Sequence, residues 1–102
     1  MKQIRQIKNR AYNPDTFFLA QSEFDFHDFE ILNAYDIEKL LGDYLEDCYA
    51  SGYKQVLVIT GKGKVVRPAV NRLLKQHKLV LKHNLAGYFN GQDGAFEVQL
   101  ID

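Results

Sequence analysis

The chain has 102 residues, of which 46% are hydrophobic and 25% are charged, and its acidic and basic side chains are equal in number. This length fits one domain near the lower limit for a single core, and the composition excludes a wholly disordered chain. The sequence contains no apolar run near the roughly 20 residues that cross a bilayer, no secretory signal and a single cysteine, Cys48. We therefore expect a cytoplasmic protein with no membrane association, no internal disulfide and no zinc site.

The charged residues are segregated along the chain. Between Ala11 and Asp47 there are ten acids and one base, whereas between Cys48 and Gln92 there are eight bases and no acid. Four further bases lie in the first ten residues. A chain divided in this way can present a basic face to a polyanion while its net charge stays at zero.

The predicted elements begin with a basic N-terminal arm over residues 1–22, which leads into a domain over residues 23–102. A turn is expected at residues 13–15, and residues 17–19 are candidates to dock the arm on the core. Alternation of apolar and polar side chains then predicts a strand over Phe24–His27. On such a strand Asp25 and His27 share one face.

The first helix is predicted to begin after Asn33, a good N-cap residue that is followed three positions later by Asp36, as in a weak capping box. Apolar residues recur at helical spacing up to Cys48, and acids cover the outer face. Gly52 stands where a left-handed residue commonly ends a helix. Because Cys48 lies on the apolar stripe, we interpret it as a core residue and not as a nucleophile.

A second strand is predicted over residues 55–60, since this segment is apolar and β-branched enough to lie centrally in a sheet. A second helix follows from Val65 or Val66, where Pro68 falls in the first turn that tolerates proline. Its polar side carries a series of basic and amide side chains.

Two more strands are predicted over residues 79–85 and 95–101, and the glycine-rich turn at residues 90–94 favours an antiparallel hairpin between them. The order of elements is therefore β-α-β-α-β-β. This order predicts an α/β (α+β) two-layer sandwich with one four-stranded mixed sheet and two helices.

The segment after the second strand has the chemistry of a phosphate-binding loop. It consists of Thr60, Gly61, Lys62, Gly63 and Lys64. Two glycines permit positive φ and close approach of a ligand, while free N–H groups, the helix dipole and two lysines favour an anion. The basic side then continues along the helix through Arg67, Asn71 and Lys75. The pattern of a P-loop is not met, and a tight turn between solvated lysines is the alternative interpretation.

A second candidate group is the pair of Asp25 and His27. If the first two strands are parallel, His27 and Thr60 lie at the same edge of the sheet, where open α/β sheets place their ligands. The carboxylate can orient the imidazole, or either group can act as a base or a metal ligand. The alternative is an exposed strand face with a local hydrogen bond.

Two further histidines and two aromatic residues are interpreted as surface or structural residues. His77 and His83 flank the third strand among lysines and are expected on the surface of the basic side. Tyr88 and Phe89 can stack on bases, but we favour core or hairpin positions for them.

Taken together, these motifs resemble the small MutS-related (Smr) domain family over residues 24–100. Residues 24–28, Phe-Asp-Phe-His-Asp, correspond to the family's Leu-Asp-Leu-His-Gly motif, and residues 60–63, Thr-Gly-Lys-Gly, to its His/Thr-Gly-x-Gly motif. Residues 67–74 are similar to the family's second helix, and residues 91–95 to its closing glycine-rich hairpin.

The resemblance implies a domain that binds DNA or RNA, with nicking endonuclease activity in some members. By match, Asp25 and His27 are the candidate catalytic pair and residues 60–63 the phosphate-binding loop. Three departures lie at this edge: Asp28 in place of glycine, a longer link before Asn33, and no further glycine after Gly63. These departures weaken the expectation of cleavage more than that of binding.

Three functions remain open at this point. The first is nucleic-acid binding through the glycine–lysine loop and the basic helix. The second is a metal-assisted nicking endonuclease or RNase that uses Asp25 and His27, for which Mg²⁺ or Mn²⁺ would be the only cofactor. The third is a protein-interaction module that uses the acidic first helix. The chain is expected to act alone or as part of a larger protein or complex.

Overall fold

The structure is a computed structural model that describes residues 12–13, 18–31, 33–86 and 94–102. Its strands and α-helices have the following bounds: β1 Tyr12–Asn13, β2 Phe18–Leu19, β3 Ser22–Asp25, α1 Ala34–Ala50, β4 Gln55–Ile59, α2 Val66–Gln76, β5 Val80–Leu85 and β6 Ala95–Leu100. A short 3-10 turn, Phe26–Asp28, follows β3. Neither α-helix of this described part is long and apolar enough to span a membrane.

Four of the strands form one mixed sheet in the order β3-β4-β6-β5. β3 and β4 are parallel, whereas β6 is antiparallel to both of its neighbours. This sheet and the two helices confirm the predicted fold class. The helical crossover through α2 does not bring β5 beside β4, because β6 pairs with β4 along its whole length and leaves β5 at the edge.

Both helices pack on the same face of the sheet. Their apolar stripes and the strands form the main core, whose most completely buried members are Ile37, Leu41, Leu45, Cys48, Val56, Val58, Val70, Leu74 and Val98. The opposite face carries a smaller cluster in which Phe18 and Ala20 pack on Leu57, Ala86 and Ala95. Phe18 and Ala20, just before β3, are thus docked on the back of the sheet. The division between an arm over residues 1–22 and a domain over residues 23–102 stays a prediction.

The ends of α1 lie where the sequence predicts them, with a capping box at Asn33 and a left-handed glycine at Gly52. The Asn33 side chain accepts a hydrogen bond from the Asp36 N–H at 3.0 Å, and the Asp36 carboxylate accepts one from the Asn33 N–H at 3.2 Å. Gly52 follows the helix with φ +81°. The capping box predicted from Asn33 and Asp36 is therefore confirmed, and so is the left-handed glycine at the other end.

Replacing Asn33 by alanine is expected to lower the free energy of unfolding by about 1 kcal/mol, because the Asp36 N–H loses its acceptor. Urea denaturation of Asn33→Ala and Asn33→Ser measures this difference. The serine variant keeps a capping oxygen and should stay close to the unchanged protein. Equal losses in both variants would show that the capping oxygen is not what stabilises the helix.

The first strand differs from its prediction. β3 ends at Asp25, and His27 lies in the 3-10 turn instead of on the strand. The cause is local, because the Asp25 side chain accepts a hydrogen bond from the His27 N–H at 2.9 Å and the Phe29 N–H closes the turn on the Phe26 carbonyl at 3.1 Å. Phe26 still reaches the core, where its ring meets that of Phe24 edge to face at 4.9 Å.

Candidate functional site

Asp25 and His27 form a hydrogen-bonded pair at the end of β3. Nδ1 of His27 lies 2.8 Å from Oδ1 of Asp25, the same oxygen that caps the turn. The side chains are 25% exposed for Asp25 and 64% for His27, so the imidazole projects into solvent while the carboxylate holds it. In neutral His27 the proton on Nδ1 faces the carboxylate, and Nε2 keeps its lone pair. The predicted pair is therefore brought together, by a turn and not by strand alternation.

The other nitrogen of His27 faces the loop after β4. Because β3 and β4 are parallel with Asp25 opposite Ile59, the turn after β3 lies beside Gly61. A Cβ built on Gly61 would lie 2.8 Å from Nε2 of His27, which is closer than real side chains approach. Gly61 also has φ +76°. Both its backbone conformation and its neighbour therefore require glycine at this position.

Gly63 does not share these constraints. Its φ is not among the positive values of the described glycines, and a Cβ there would meet nothing within 4 Å. Of the two glycines that permit positive φ in this loop, only Gly61 adopts it in the structure.

The loop is tied to the start of β6. The N–H groups of Thr60 and Gly61 both donate to the Gly94 carbonyl at 2.9 Å, and the Thr60 hydroxyl donates to the Gly61 carbonyl at 2.7 Å. The N–H groups of Thr60 and Gly61 are therefore engaged in holding the loop on Gly94, and any free N–H groups of this region belong to the residues that follow them. Thr60 is itself buried and shapes the loop from inside.

Positive charge surrounds the loop on its open side. Lys62 and Lys64 are exposed, and α2 begins directly after them with no side-chain cap from Val65 and no acid in its first turn. The positive end of the helix dipole and two lysines therefore point to the same surface. Farther along α2, Lys75 is exposed, whereas Arg67 is half-buried.

Asn71 and His83 form a second polar contact, between α2 and β5. Oδ1 of Asn71 lies 3.1 Å from Nε2 of His83, and both residues are half-buried. Burial, and after it the charge of Lys75, lower the pKa of His83 below its ordinary value, so the ring is neutral at pH 7. The expectation of a surface position for His83 is met only in part, since the packing of α2 on β5 leaves its ring half-buried.

The remaining candidates have simpler surroundings. Cys48 is fully buried in the main core, and burial raises the pKa of its thiol to about 11, which confirms it as a core residue. No group of three or more His, Cys, Asp or Glu side chains in the described ranges is arranged to hold a metal ion. Tyr88, Phe89 and the turn at residues 90–93 lie outside the described residues.

The Gly94 carbonyl and the ring of His83 are the parts of this region that sequence reasoning missed. Gly94 acts through its backbone, and a main-chain hydrogen bond leaves no side-chain signal in the sequence. His83 meets Asn71 across twelve positions of the chain, a contact that becomes visible only when α2 and β5 are packed together.

Comparison with known proteins places these features in a family. The Smr domain model matches residues 25–101. The chain is 30% identical to an endonuclease MutS2 of Clostridium botulinum over 99 residues, which are 95% of this chain and 12% of that protein. It is 41% identical to an endonuclease MutS2 of Caldicellulosiruptor saccharolyticus over 68 residues, which are 66% of this chain and 8% of that protein.

Solved structures agree with this match. The fold is similar to that of the Smr domain of Thermus thermophilus MutS2, with a TM-score of 0.69 and 25% identity, over 78% of this chain and 98% of that domain. It is also similar to YdaL, a stand-alone small MutS-related protein of Escherichia coli, with a TM-score of 0.68 and 24% identity, over 78% and 64% of the two chains. The shared motifs, their order along the chain and this fold lead to one conclusion: the chain belongs to the Smr domain family.

Proposed function

We propose that this domain binds DNA or RNA through the edge formed by the His27 turn and residues 60–64. The observation that carries the proposal is the contact of His27 with Gly61, beside Lys62 and Lys64. This contact joins the two motifs of the Smr family into one surface that carries the exposed side chains of His27, Lys62 and Lys64. The MutS2 relatives are endonucleases by name, and a nuclease must hold the sugar–phosphate backbone of its substrate.

The lysines of this edge are proposed to bind the phosphate groups of the nucleic acid. Lysine is a compact cation that meets phosphate oxygens without reading the base sequence. The N-terminus of α2 adds a dipole of the same sign at the same place. Acids cover the solvent side of α1, which packs beside α2, and would turn the backbone of the nucleic acid toward α2. Binding of this kind is strong at low salt and selects little among sequences.

Lysine-to-alanine substitution tests the proposal. Each phosphate contact removed from a single strand reduces the slope of log affinity against log salt by about 0.7, so Lys62→Ala/Lys64→Ala should reduce it by about 1.4. The measurement is retardation of labelled single-stranded RNA, duplex DNA and branched DNA over a series of salt concentrations.

The matched control is Lys39→Ala/Lys54→Ala, which changes the net charge equally. Lys39 pairs with Asp43 and Lys54 with Asp102, away from the loop. An equal reduction in the slope of log affinity against log salt in both double variants would contradict phosphate binding at Lys62 and Lys64. Failure to retard any of these nucleic acids at low salt would favour a protein-interaction module with the acidic α1 as its surface.

A second function, cleavage of the bound strand, is favoured by the orientation of His27. Its Nδ1 is held by Asp25, and its Nε2 faces the loop that would hold the phosphate. In this arrangement Nε2 takes a proton from an attacking water, the water oxygen bonds to phosphorus, and the leaving oxygen takes a proton from solvent. If cleavage uses Mg²⁺ or Mn²⁺, Asp25 and His27 are the residues that would hold the ion, and the ion would help to activate the attacking water.

If the domain cleaves, His27→Ala and Asp25→Asn are expected to reduce the rate of cleavage by about 100-fold or more, while binding stays within about twofold. Cleavage and retardation are scored in the same samples, with and without Mg²⁺ or Mn²⁺. Glu30→Gln is the control, because Glu30 is exposed and lies outside the pair. Cleavage that survives in His27→Ala would exclude His27 as the base.

A further inference from the structure

A pocket of about 390 Å³ lies between α2 and β5, beside the loop but distinct from it. α2 contributes Arg67, Pro68 and Asn71 to its walls, and the sheet contributes His83, Leu85 and Phe96. Pockets of roughly 300–1,000 Å³ are typical of small-molecule sites. This volume suits a planar group such as one base.

The walls combine apolar surface with a few fixed polar atoms. Leu85 is half exposed and Phe96 is buried, so they offer an apolar wall and floor. Asn71 uses Oδ1 to meet His83, and within the described ranges its amide nitrogen has no partner. The His83 ring packs edge-on against Phe96 at 5.9 Å and is neutral at pH 7 because burial lowers its pKa. An oriented amide beside apolar side chains is chemistry that recognises a base edge and its face.

The pocket opens at the same end of the sheet as the loop. β5 runs in the direction of β4, because both are antiparallel to β6. Leu85 lies opposite Phe96, and Phe96 lies opposite Val58, two residues before Thr60. β4 and β5 are separated by β6 alone, which places them about 10 Å apart at roughly 4.8 Å per strand spacing. One nucleotide chain can therefore reach both the loop and the pocket.

We propose that this pocket receives one base of a single-stranded or unstacked nucleotide whose neighbouring phosphate is held at Lys62 and Lys64. The proposal rests on the nucleic-acid binding proposed above and adds a base-dependent component to it. A base within a stacked duplex cannot enter a pocket of this kind, so the domain prefers single strands, loops or branch points over continuous duplex.

The test compares two strands of equal length and charge, one of deoxyadenosine and one made only of abasic sites. The unchanged domain should bind the base-bearing strand about tenfold more tightly, from stacking and one hydrogen bond. In Asn71→Ala this ratio should fall to about two or less, with the affinity for the abasic strand unchanged. Leu85→Ala should also lower the ratio, and because Leu85 is half exposed this variant keeps the test valid if Asn71→Ala does not fold.

The control is Gln76→Ala, on the exposed last turn of the same helix, which should keep the full ratio. Two results would overturn the binding of a base in this pocket: equal binding of the two strands by the unchanged domain, or an equal fall of the ratio in Gln76→Ala. Neither result would contradict phosphate binding at Lys62 and Lys64. Failure at low salt to bind these two strands and a single-stranded RNA of the same length would overturn the proposed function, and the pocket with it.

Discussion

Replacing Gly61 by alanine is expected to lower the free energy of unfolding by about 1–2 kcal/mol, because the residue adopts a φ of +76° that disfavours a side chain. A second effect is separate from stability. The new Cβ would lie 2.8 Å from Nε2 of His27, and the ring is the part that can move. His27 would then lose its bond to Asp25, and the two motifs would no longer share one surface.

Gly63→Ala is the matched control for this prediction, since the same methyl group meets open space two residues away. Urea denaturation measures stability, and the imidazole signals of His27 in NMR spectra report on its contact with Asp25. The contact between the turn and the loop would be contradicted if Gly61→Ala and Gly63→Ala gave the same stability and left the His27 signals alike.

The second large effect is expected from the core that holds α1 on the sheet. Leu45 is fully buried, and its replacement by alanine should lower the free energy of unfolding by about 3 kcal/mol, from lost burial and the cavity that remains. A domain of about 100 residues has a stability of roughly 5–15 kcal/mol, so such a loss lowers the unfolding midpoint markedly.

Leu45→Met and Leu19→Ala are the comparisons for this prediction. Methionine fills a similar volume and should cost less than about 1.5 kcal/mol. Leu19 is 46% exposed, so its truncation leaves no enclosed cavity. A loss at Leu45 no larger than that at Leu19 would contradict the placement of α1 on the sheet.

Much of the fold could be predicted from the sequence because its signals are local. Asn33 and Gly52 mark the ends of α1 through hydrogen bonds and a φ value that involve only neighbouring residues. The apolar stripe between them identifies the face that enters the core. The parallel pairing of β3 with β4 follows from the strand–helix–strand order, and this pairing is what brings His27 to the loop.

The structure departs from the sequence predictions where two local effects compete, or where the residues in contact are far apart in the chain. Alternation extends the first strand to His27, but the short side chain of Asp25 captures the His27 N–H and turns the backbone out of the sheet. The position of β6 between β4 and β5 depends on which strand edges pair, and no single segment contains that information. The same holds for the Gly94 carbonyl, which accepts hydrogen bonds from the N–H groups of Thr60 and Gly61 in a distant part of the chain.

The most direct test of the proposed function is a pair of NMR titrations of the ¹⁵N-labelled domain, one with short single-stranded RNA and one with single-stranded DNA. The account predicts that the amide signals of Gly61, Lys62, Gly63 and Lys64 and of the first turn of α2 shift first, and that added salt reverses the shifts. Shifts confined to the acidic side of α1, or no shifts at low salt, would contradict the binding of nucleic acid at this edge.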